Sequence, residues 1–466
     1  MILTIEEVLK ATGGKLLQGK GSSFIQGIST DSRTVAEGEL FIALKGSRFD
    51  GHHYALEALK KKAGGVLIEE DKVGDIWWNG YRSKPVIAVR DTLSALGDIA
   101  QNWRRKYRTP VVALTGSNGK TTTKEMIAAC LETTFPLLKT KGNLNNLIGL
   151  PLTLLTLTEK ERVVVLEMGM NVPGEIRRLT EIAEPDVGLI TNIQKVHLEG
   201  MGSLERLKEE KGELFRRMRR DGTILVNQDD PRVMELAGDY RGQKITFGIE
   251  HPAEVMAKEI RLRGEEGTFF TLILESEAME IHLRLLGRHF VADALSAVGV
   301  ACLFGLEMKQ AKEALEHFQP FPMRMEVVPL KGGITLINDA YNANPSSMEL
   351  ALETLMEVKG EGRAIAVLGD MLELGEFAKE AHQQLGQKVG ELSIDFLLAL
   401  GEEASVVVES AIRHGFPLAR TKVVESYSEA VSILREMVQN GDWILVKGSR
   451  GMAMEKIVEA LREGRA

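Results

Sequence analysis

Residues 115–125 read Thr-Gly-Ser-Asn-Gly-Lys-Thr-Thr-Thr-Lys-Glu and follow directly on the apolar run Pro110–Leu114. A buried strand that leads into a glycine-containing turn, which in turn opens a helix, sets free N–H groups and a positive dipole end against an anion. The spacing predicts a nucleotide phosphate cradle built from Gly116, Ser117, Asn118, Gly119, Lys120, Thr121 and Thr122. Lys120 would reach the terminal phosphates of ATP, and the Thr121 hydroxyl would ligate Mg²⁺. Position 114, where the common phosphate loop has glycine, is leucine, so Gly116 and Gly119 carry the turn alone.

In a parallel α/β sheet, reactive side chains gather at the carboxyl ends of the strands. Glu167 follows the apolar run Val163–Leu166, and His197 follows Val187–Ile193. With Thr121 they give a hydroxyl, a carboxylate and an imidazole at one rim, a set that suits Mg²⁺ and phosphate, with histidine the least usual member. The plainer alternatives are a solvated strand-end carboxylate and a histidine satisfied within its own loop. Lys211, in Glu209-Glu-Lys-Gly-Glu213, reads on composition alone as part of a solvated helix face.

Further along, Asp339, Tyr341, Asn342 and Asn344 follow the buried run Ile334–Ile337. Amides, a carboxylate and a phenol suit a small polar ligand, and the same residues suit an Asx-rich turn that caps the next helix. Arg324 lies just past the proline punctuation Phe318–Pro322, where it could offset charge on a transferring phosphoryl group or stand as an exposed linker arginine. The basic turn Lys447–Gly451 could meet an anion, although one such turn is a weak signal.

These residues need elements to hold them. At 466 residues the chain exceeds a single core and implies about three domains. Residues 1–95 mix short strands and helices as a small α/β unit. Residues 96–318 alternate buried strands with helices around a mostly parallel sheet carrying the phosphate loop, and Glu254–Leu286 reads as an antiparallel appendage to it. Residues 319–466 repeat the strand–turn–helix pattern as a doubly wound, Rossmann-like domain.

With 44% hydrophobic and 27% charged residues the chain is of the soluble globular class, and a net charge of −8 with pI about 5.8 argues against a general nucleic-acid or membrane-surface binder. Two cysteines, Cys130 and Cys302, fit a reducing compartment. No signal peptide or bilayer anchor is expected, so the expected location is cytoplasmic.

Read together, the segments resemble the Mur ligases, ATP-dependent amide-forming enzymes of peptidoglycan synthesis. The resemblance rests on Ser29–Arg33, Gly38–Phe41 and Asp50–His52, on Gly116–Thr121, Gly142–Pro151, Glu167–Met170 and His197–Gly200, and on Asp339–Pro345 and Gly369–Gly375. Asn143–Asn146 and Asp339–Pro345, with Ser346 after the proline, are similar to the member that joins D-alanyl-D-alanine to UDP-N-acetylmuramoyl-tripeptide.

The resemblance implies that Ser29, Asp31, Ser32, Arg33, Phe41, Asp50 and His52 meet the UDP end of that substrate. It implies that Asn143, Asn145, Asn146, Asp339, Tyr341, Asn342 and Asn344 contact the reacting parts. Lys120, His197, Lys211 and Arg324 would act in catalysis, with Thr121, Glu167, His197 and a carbamylated Lys211 toward Mg²⁺. His289 and Asp293 stand where relatives place Gly-x-His-Asn-x-x-Asn toward adenine, but this chain has Phe290 and Asp293 in place of the amides, so Asp293 accepts a hydrogen bond without donating one as an amide does.

The implied reaction forms an acyl phosphate and then an amide. The expected partners are ATP, Mg²⁺ and the two small substrates, handled by a monomer without nucleic acid or membrane. Rival readings are an amino-acid-adding Mur-type ligase, a folate polyglutamate synthase-like ligase, and a GTP switch, which the absence of an Asn-Lys-x-Asp segment disfavours.

Overall fold

The computed structural model describes residues 1–75, 81–194 and 201–463. Besides a two-stranded antiparallel pair, Leu3–Thr4 with Phe24–Ile25, three larger sheets follow one another along the described residues. The first orders Lys15–Gln18, Val86–Val89, Gly65–Glu69, Glu39–Ile42 and Gly27–Ser29, all parallel except the Lys15–Gln18 edge. The helix Thr92–Arg104 then leads onward, its first turn capped by Asp91, which accepts hydrogen bonds from the backbone N–H groups of Leu93 and Ser94. Its Leu96, Ile99 and Ala100 pack in one apolar cluster with Leu40 and Ile87 of the first sheet and with Val111 and Leu166 of the second. Residue 95, the expected boundary, therefore lies inside a helix that both sheets share.

The central sheet has nine strands. From one edge they are Leu137–Lys139, Val163–Glu167, Val111–Thr115, Val187–Ile190, Thr223–Asn227, Gln243–Gly248, Val255–Leu262, Thr268–Leu274 and Glu277–Leu283. The pairings are parallel as far as Val255–Leu262 and antiparallel beyond it. The expected appendage is thus the continuation of this sheet. Its alternating pattern reported one buried face per strand, and Phe270, Leu272, Ile281 and Leu283 place that face in the main core.

Side-chain alternation explains the layers. Val112, Leu114, Val163, Val165 and Leu189 face a cluster holding Met126, Ile127 and Leu295, whereas Val111, Ala113, Val164, Leu166 and Ile190 face one holding Ile176, Leu179 and Leu207. Helices therefore cover both faces, as a parallel sheet requires. Cys130 and Cys302 sit in helices and are free thiols. No helix of the described residues is long and apolar enough to cross a membrane.

The third sheet orders Glu326–Leu330, Ile334–Asp339, Trp443–Lys447, Ala364–Gly369, Phe396–Leu400 and Thr421–Val424, with only the first strand antiparallel. That edge strand carries Pro329, which an edge tolerates because no ladder donor is lost to a partner.

Candidate active site

The strand Val111–Thr115 lies between Val163–Glu167, which follows it in the chain, and Val187–Ile190 on its other side. This is the switch point of the parallel sheet, where a crevice opens beyond the carboxyl ends. The phosphate loop fills that position, and the helix Lys120–Glu132 starts from Gly119. Gly116 has φ +154° and Gly119 φ +81°, and a Cβ on either would collide, with the Thr191 hydroxyl at Gly116 and with Asp293 at Gly119. A cavity of about 720 Å³ opens over the loop and is lined by residues of the second and third sheets.

Lys120 curls back over its own loop, donating to the Gly116 carbonyl at 2.8 Å and the Ser117 carbonyl at 3.2 Å. Burial lowers its pKa, with Glu167 opposing and Arg324 adding to the effect. Lys211 is 1% exposed and donates to the same Gly116 carbonyl at 2.9 Å. Burial holds its pKa well below the ordinary value, and the neighbouring Lys120 charge pushes the same way. The solvated helix face is therefore excluded: Lys211 belongs to the buried side of Leu204–Arg217, along with Leu207 and Leu214.

Glu167 is 2% exposed. Its Oε1 accepts from Asn145 Nδ2 at 2.8 Å, and its backbone N–H donates to the Thr140 hydroxyl at 3.0 Å. Its Oε2 has no hydrogen-bond partner, and the nearest cation is the buried Lys124, 3.9 Å away. An orphaned carboxylate oxygen beside a phosphate loop is a donor of the kind a hard cation takes. His197 lies outside the described residues. Among the described residues no group of three or more His, Cys, Asp or Glu side chains could hold a metal by itself. A cation that takes part of its shell from phosphate and water needs fewer protein ligands, so Thr121 and Glu167 fit Mg²⁺ bound together with a nucleotide.

The third sheet supplies the opposite wall. Arg324 reaches across to the Thr121 hydroxyl at 3.5 Å, and its guanidinium lies over the Tyr341 ring, 3.9 Å from the centroid. Met323 and Met325, on either side, both adopt positive φ, +62° and +49°, so the backbone that aims this arginine is strained. Asp339 and Lys447 are register partners on adjacent strands and form an ion pair, and Lys447 also donates to the Asn342 carbonyl at 3.0 Å. The basic turn after the last strand thus turns its lysine inward. Asn344 caps the helix Pro345–Val358 through Ser347 N–H at 3.0 Å.

His289 and Asp293 both line the cavity. Burial pulls the His289 imidazole down to about 4 and pushes the Asp293 carboxyl up to about 7. Asp293 accepts from the Thr123 hydroxyl at 2.7 Å, and its second oxygen has no partner. Of the asparagine segment, Asn143 and Asn146 lie at the rim, but Asn146 uses its carbonyl to accept the Ile148 and Gly149 N–H groups and so starts the next helix.

None of the residues expected at the UDP end lines this cavity. Ser29 bonds to Asp31, and Arg33 pairs with Asp31 at 2.7 Å, holding its carboxyl at about 2. Ser32 and Phe41 are buried, Phe41 in the core of the first sheet. His52 has Asp50 on Nδ1 at 2.5 Å and accepts the Glu69 N–H on Nε2 at 3.1 Å, so both ring nitrogens pin local structure. Sequence reasoning overlooked Lys124, Asn192, Gln194 and Asp230. The last three lie at or beyond the carboxyl ends of Val187–Ile190 and Thr223–Asn227, where the rule that selected Glu167 also applies.

The family model described as the Mur ligase family catalytic domain matches residues 24–104, that of the Mur ligase middle domain 114–301, and that of the Mur ligase glutamate ligase domain 323–450. The chain is 35% identical to the UDP-N-acetylmuramoyl-tripeptide--D-alanyl-D-alanine ligase of Bacillus subtilis over 461 residues, 99% of this chain and 98% of that protein. A crystal structure of MurF from Acinetobacter baumannii superposes with a TM-score of 0.89 at 31% identity, covering 99% of each chain. MurF ligase from Thermotoga maritima in complex with ADP gives 0.84 at 28% identity, over 94% of this chain and 97% of that one.

Proposed function

The chain belongs to the Mur ligase family, and we infer from this that it joins D-alanyl-D-alanine to UDP-N-acetylmuramoyl-tripeptide with cleavage of ATP to ADP and phosphate. The observation that carries the reading is one cavity: a phosphate loop, an orphaned carboxylate, the half-buried Lys120 and the buried Lys211 on one wall, an arginine and an Asp–Asn loop on the other.

A carboxylate is a poor acyl donor. The terminal carboxylate oxygen of the tripeptide attacks the γ-phosphorus, the bond to the β-phosphate oxygen breaks, and an acyl phosphate and ADP result. Lys120 swings from the Gly116 carbonyl onto the phosphates, and Arg324, steadied by Tyr341, offsets the charge that develops. Thr121 and Glu167 would hold Mg²⁺, joined by His197 and by Lys211 once carbamylated, and the chemistry it supplies is neutralisation of phosphate-oxygen charge. Burial, which lowers the Lys211 pKa well below the ordinary value, favours the neutral amine that can take up CO₂.

The amine of the dipeptide, oriented by Asp339 and the amides of Asn342 and Asn344, then attacks the acyl carbon. The nitrogen loses a proton, phosphate leaves, and the amide of the UDP-N-acetylmuramoyl-pentapeptide remains. Excluding water protects the acyl phosphate from hydrolysis. We assign residues 1–95 to the UDP end of the substrate, 96–318 to ATP and 319–466 to the dipeptide. The same reading makes the protein a cytoplasmic, monomeric enzyme of peptidoglycan precursor and cell-wall synthesis that acts on small molecules.

Mass analysis of the product formed from UDP-N-acetylmuramoyl-tripeptide, ATP and D-alanyl-D-alanine tests this. The pentapeptide is expected. A product formed only with a single amino acid, or only with folate and glutamate, would refute it.

A further inference from the structure

Asn118 stands in the middle of the phosphate loop, yet its amide faces the third sheet's domain. One Nδ2 hydrogen goes to Gln194 Oε1 at 2.7 Å and the other to the Ser346 hydroxyl at 2.8 Å, while Oδ1 accepts from Asn344 Nδ2 at 2.8 Å. An asparagine amide has two hydrogens to donate, so none is left for a nucleotide. The backbone is equally fixed: its N–H donates to Asn192 Oδ1 at 3.0 Å, and its carbonyl accepts from the Thr191 hydroxyl at 2.6 Å and Asn192 Nδ2 at 3.2 Å.

Asn344 does two jobs with two ends of one side chain. Its Oδ1 caps Pro345–Val358 by accepting from Ser347 N–H, and takes the Ser346 hydroxyl at 2.9 Å, leaving the NH₂ group to reach the phosphate loop. The two loops that must come together for the second chemical step are thus joined through the Asn118 amide and through Arg324, which touches Thr121.

We propose that Asn118 is a positioning residue that docks the acceptor loop, Asp339–Ser347, onto the phosphate loop. Its side chain acts on capture of the dipeptide rather than on binding of ATP. The proposal rests on the reading above for the identity of the acceptor, but the hydrogen-bonded latch itself does not.

The test uses the full-length chain with Asn118→Ala, Asn344→Ser and the double variant. Serine keeps a helix cap but is too short to reach Asn118. Each single variant is expected to raise KM for D-alanyl-D-alanine roughly tenfold, the size of one or two lost neutral hydrogen bonds, and to increase ADP released per amide formed. ADP affinity by calorimetry should stay within about twofold, and the double variant should be no worse than the more damaged single. Weaker ADP binding with an unchanged dipeptide KM, or effects that multiply, would overturn the proposal. If the wild-type protein shows no turnover with this dipeptide, the functional reading fails, and X-ray scattering of the ADP-saturated chain still decides the latch. A larger radius of gyration in Asn118→Ala is expected, and an unchanged one refutes it.

Discussion

The guanidinium of Arg324 lies over the ring of Tyr341, with its carbon 3.9 Å from the ring centroid, while one of its nitrogens reaches Thr121 across the cleft. The residue proposed to meet phosphate is therefore held by a side chain of the loop assigned to the acceptor. Tyr341→Leu is expected to lower kcat roughly tenfold, the rate equivalent of a cation–π contact worth about 1–2 kcal/mol. Tyr341→Phe keeps the ring and should retain most activity. Equal losses in both variants would instead assign the role to the phenol oxygen.

Lys211 shares the Gly116 carbonyl with Lys120 in a buried setting that disfavours charge. At fixed neutral pH, activity should rise with added bicarbonate, and intact-protein mass should show a CO₂ adduct that Lys211→Arg lacks. Lys211→Arg should lose roughly 100-fold or more in kcat, the size expected when charge stabilisation at phosphate is removed. Activity indifferent to bicarbonate, with no adduct, would leave Lys211 a donor to the loop and nothing more.

Asp293 sets a pH dependence whose sign is fixed. Its folded pKa of about 7 lies above the usual 3.8, so between those values the native chain holds a proton that the unfolded chain has released. Stability from this group falls as pH rises through that window, and the penalty is complete above about pH 7. Asp293→Asn removes the titration, so the melting midpoint of the wild type relative to the variant should drop between pH 5 and pH 8, by roughly a few degrees. A constant difference would contradict the assignment.

Lys447 is buried and pairs with the half-buried Asp339 on the neighbouring strand. Lys447→Met leaves the Asp339 carboxylate without its cation, a loss on the order of 3 kcal/mol. Adding Asp339→Asn should restore part of it in thermal unfolding. A double variant that melts as low as, or lower than, Lys447→Met would show that the pair's charge is not what matters there.

The phosphate loop was legible because its signal is local: strand, glycine turn and helix are adjacent in sequence, and the Gly116 and Gly119 backbone follows from their lack of Cβ. Glu167 was legible for the same reason, as the first polar residue after a buried run. Lys211 was not, since its burial comes from the loop it packs against, 95 residues earlier in the chain. Side-chain partners were hidden in the same way. His52, Asn146 and Asn344 carry structural duties that the sequence does not display: His52 pins a strand, and the two asparagines cap helices through their side-chain oxygens. The sheet continuation through Val255–Leu283 was also hidden, because alternation reports which face is buried and not which ladder a strand joins.

The most direct measurement is ADP release by the purified protein with ATP, Mg²⁺ and UDP-N-acetylmuramoyl-tripeptide, with and without D-alanyl-D-alanine. A two-step ligase whose acyl phosphate waits for the dipeptide amine should release ADP slowly alone and at least roughly tenfold faster with the dipeptide, and Lys120→Ala should abolish the fast release while the fold survives. Release that is equally fast without the dipeptide, or undiminished in Lys120→Ala, would contradict this account.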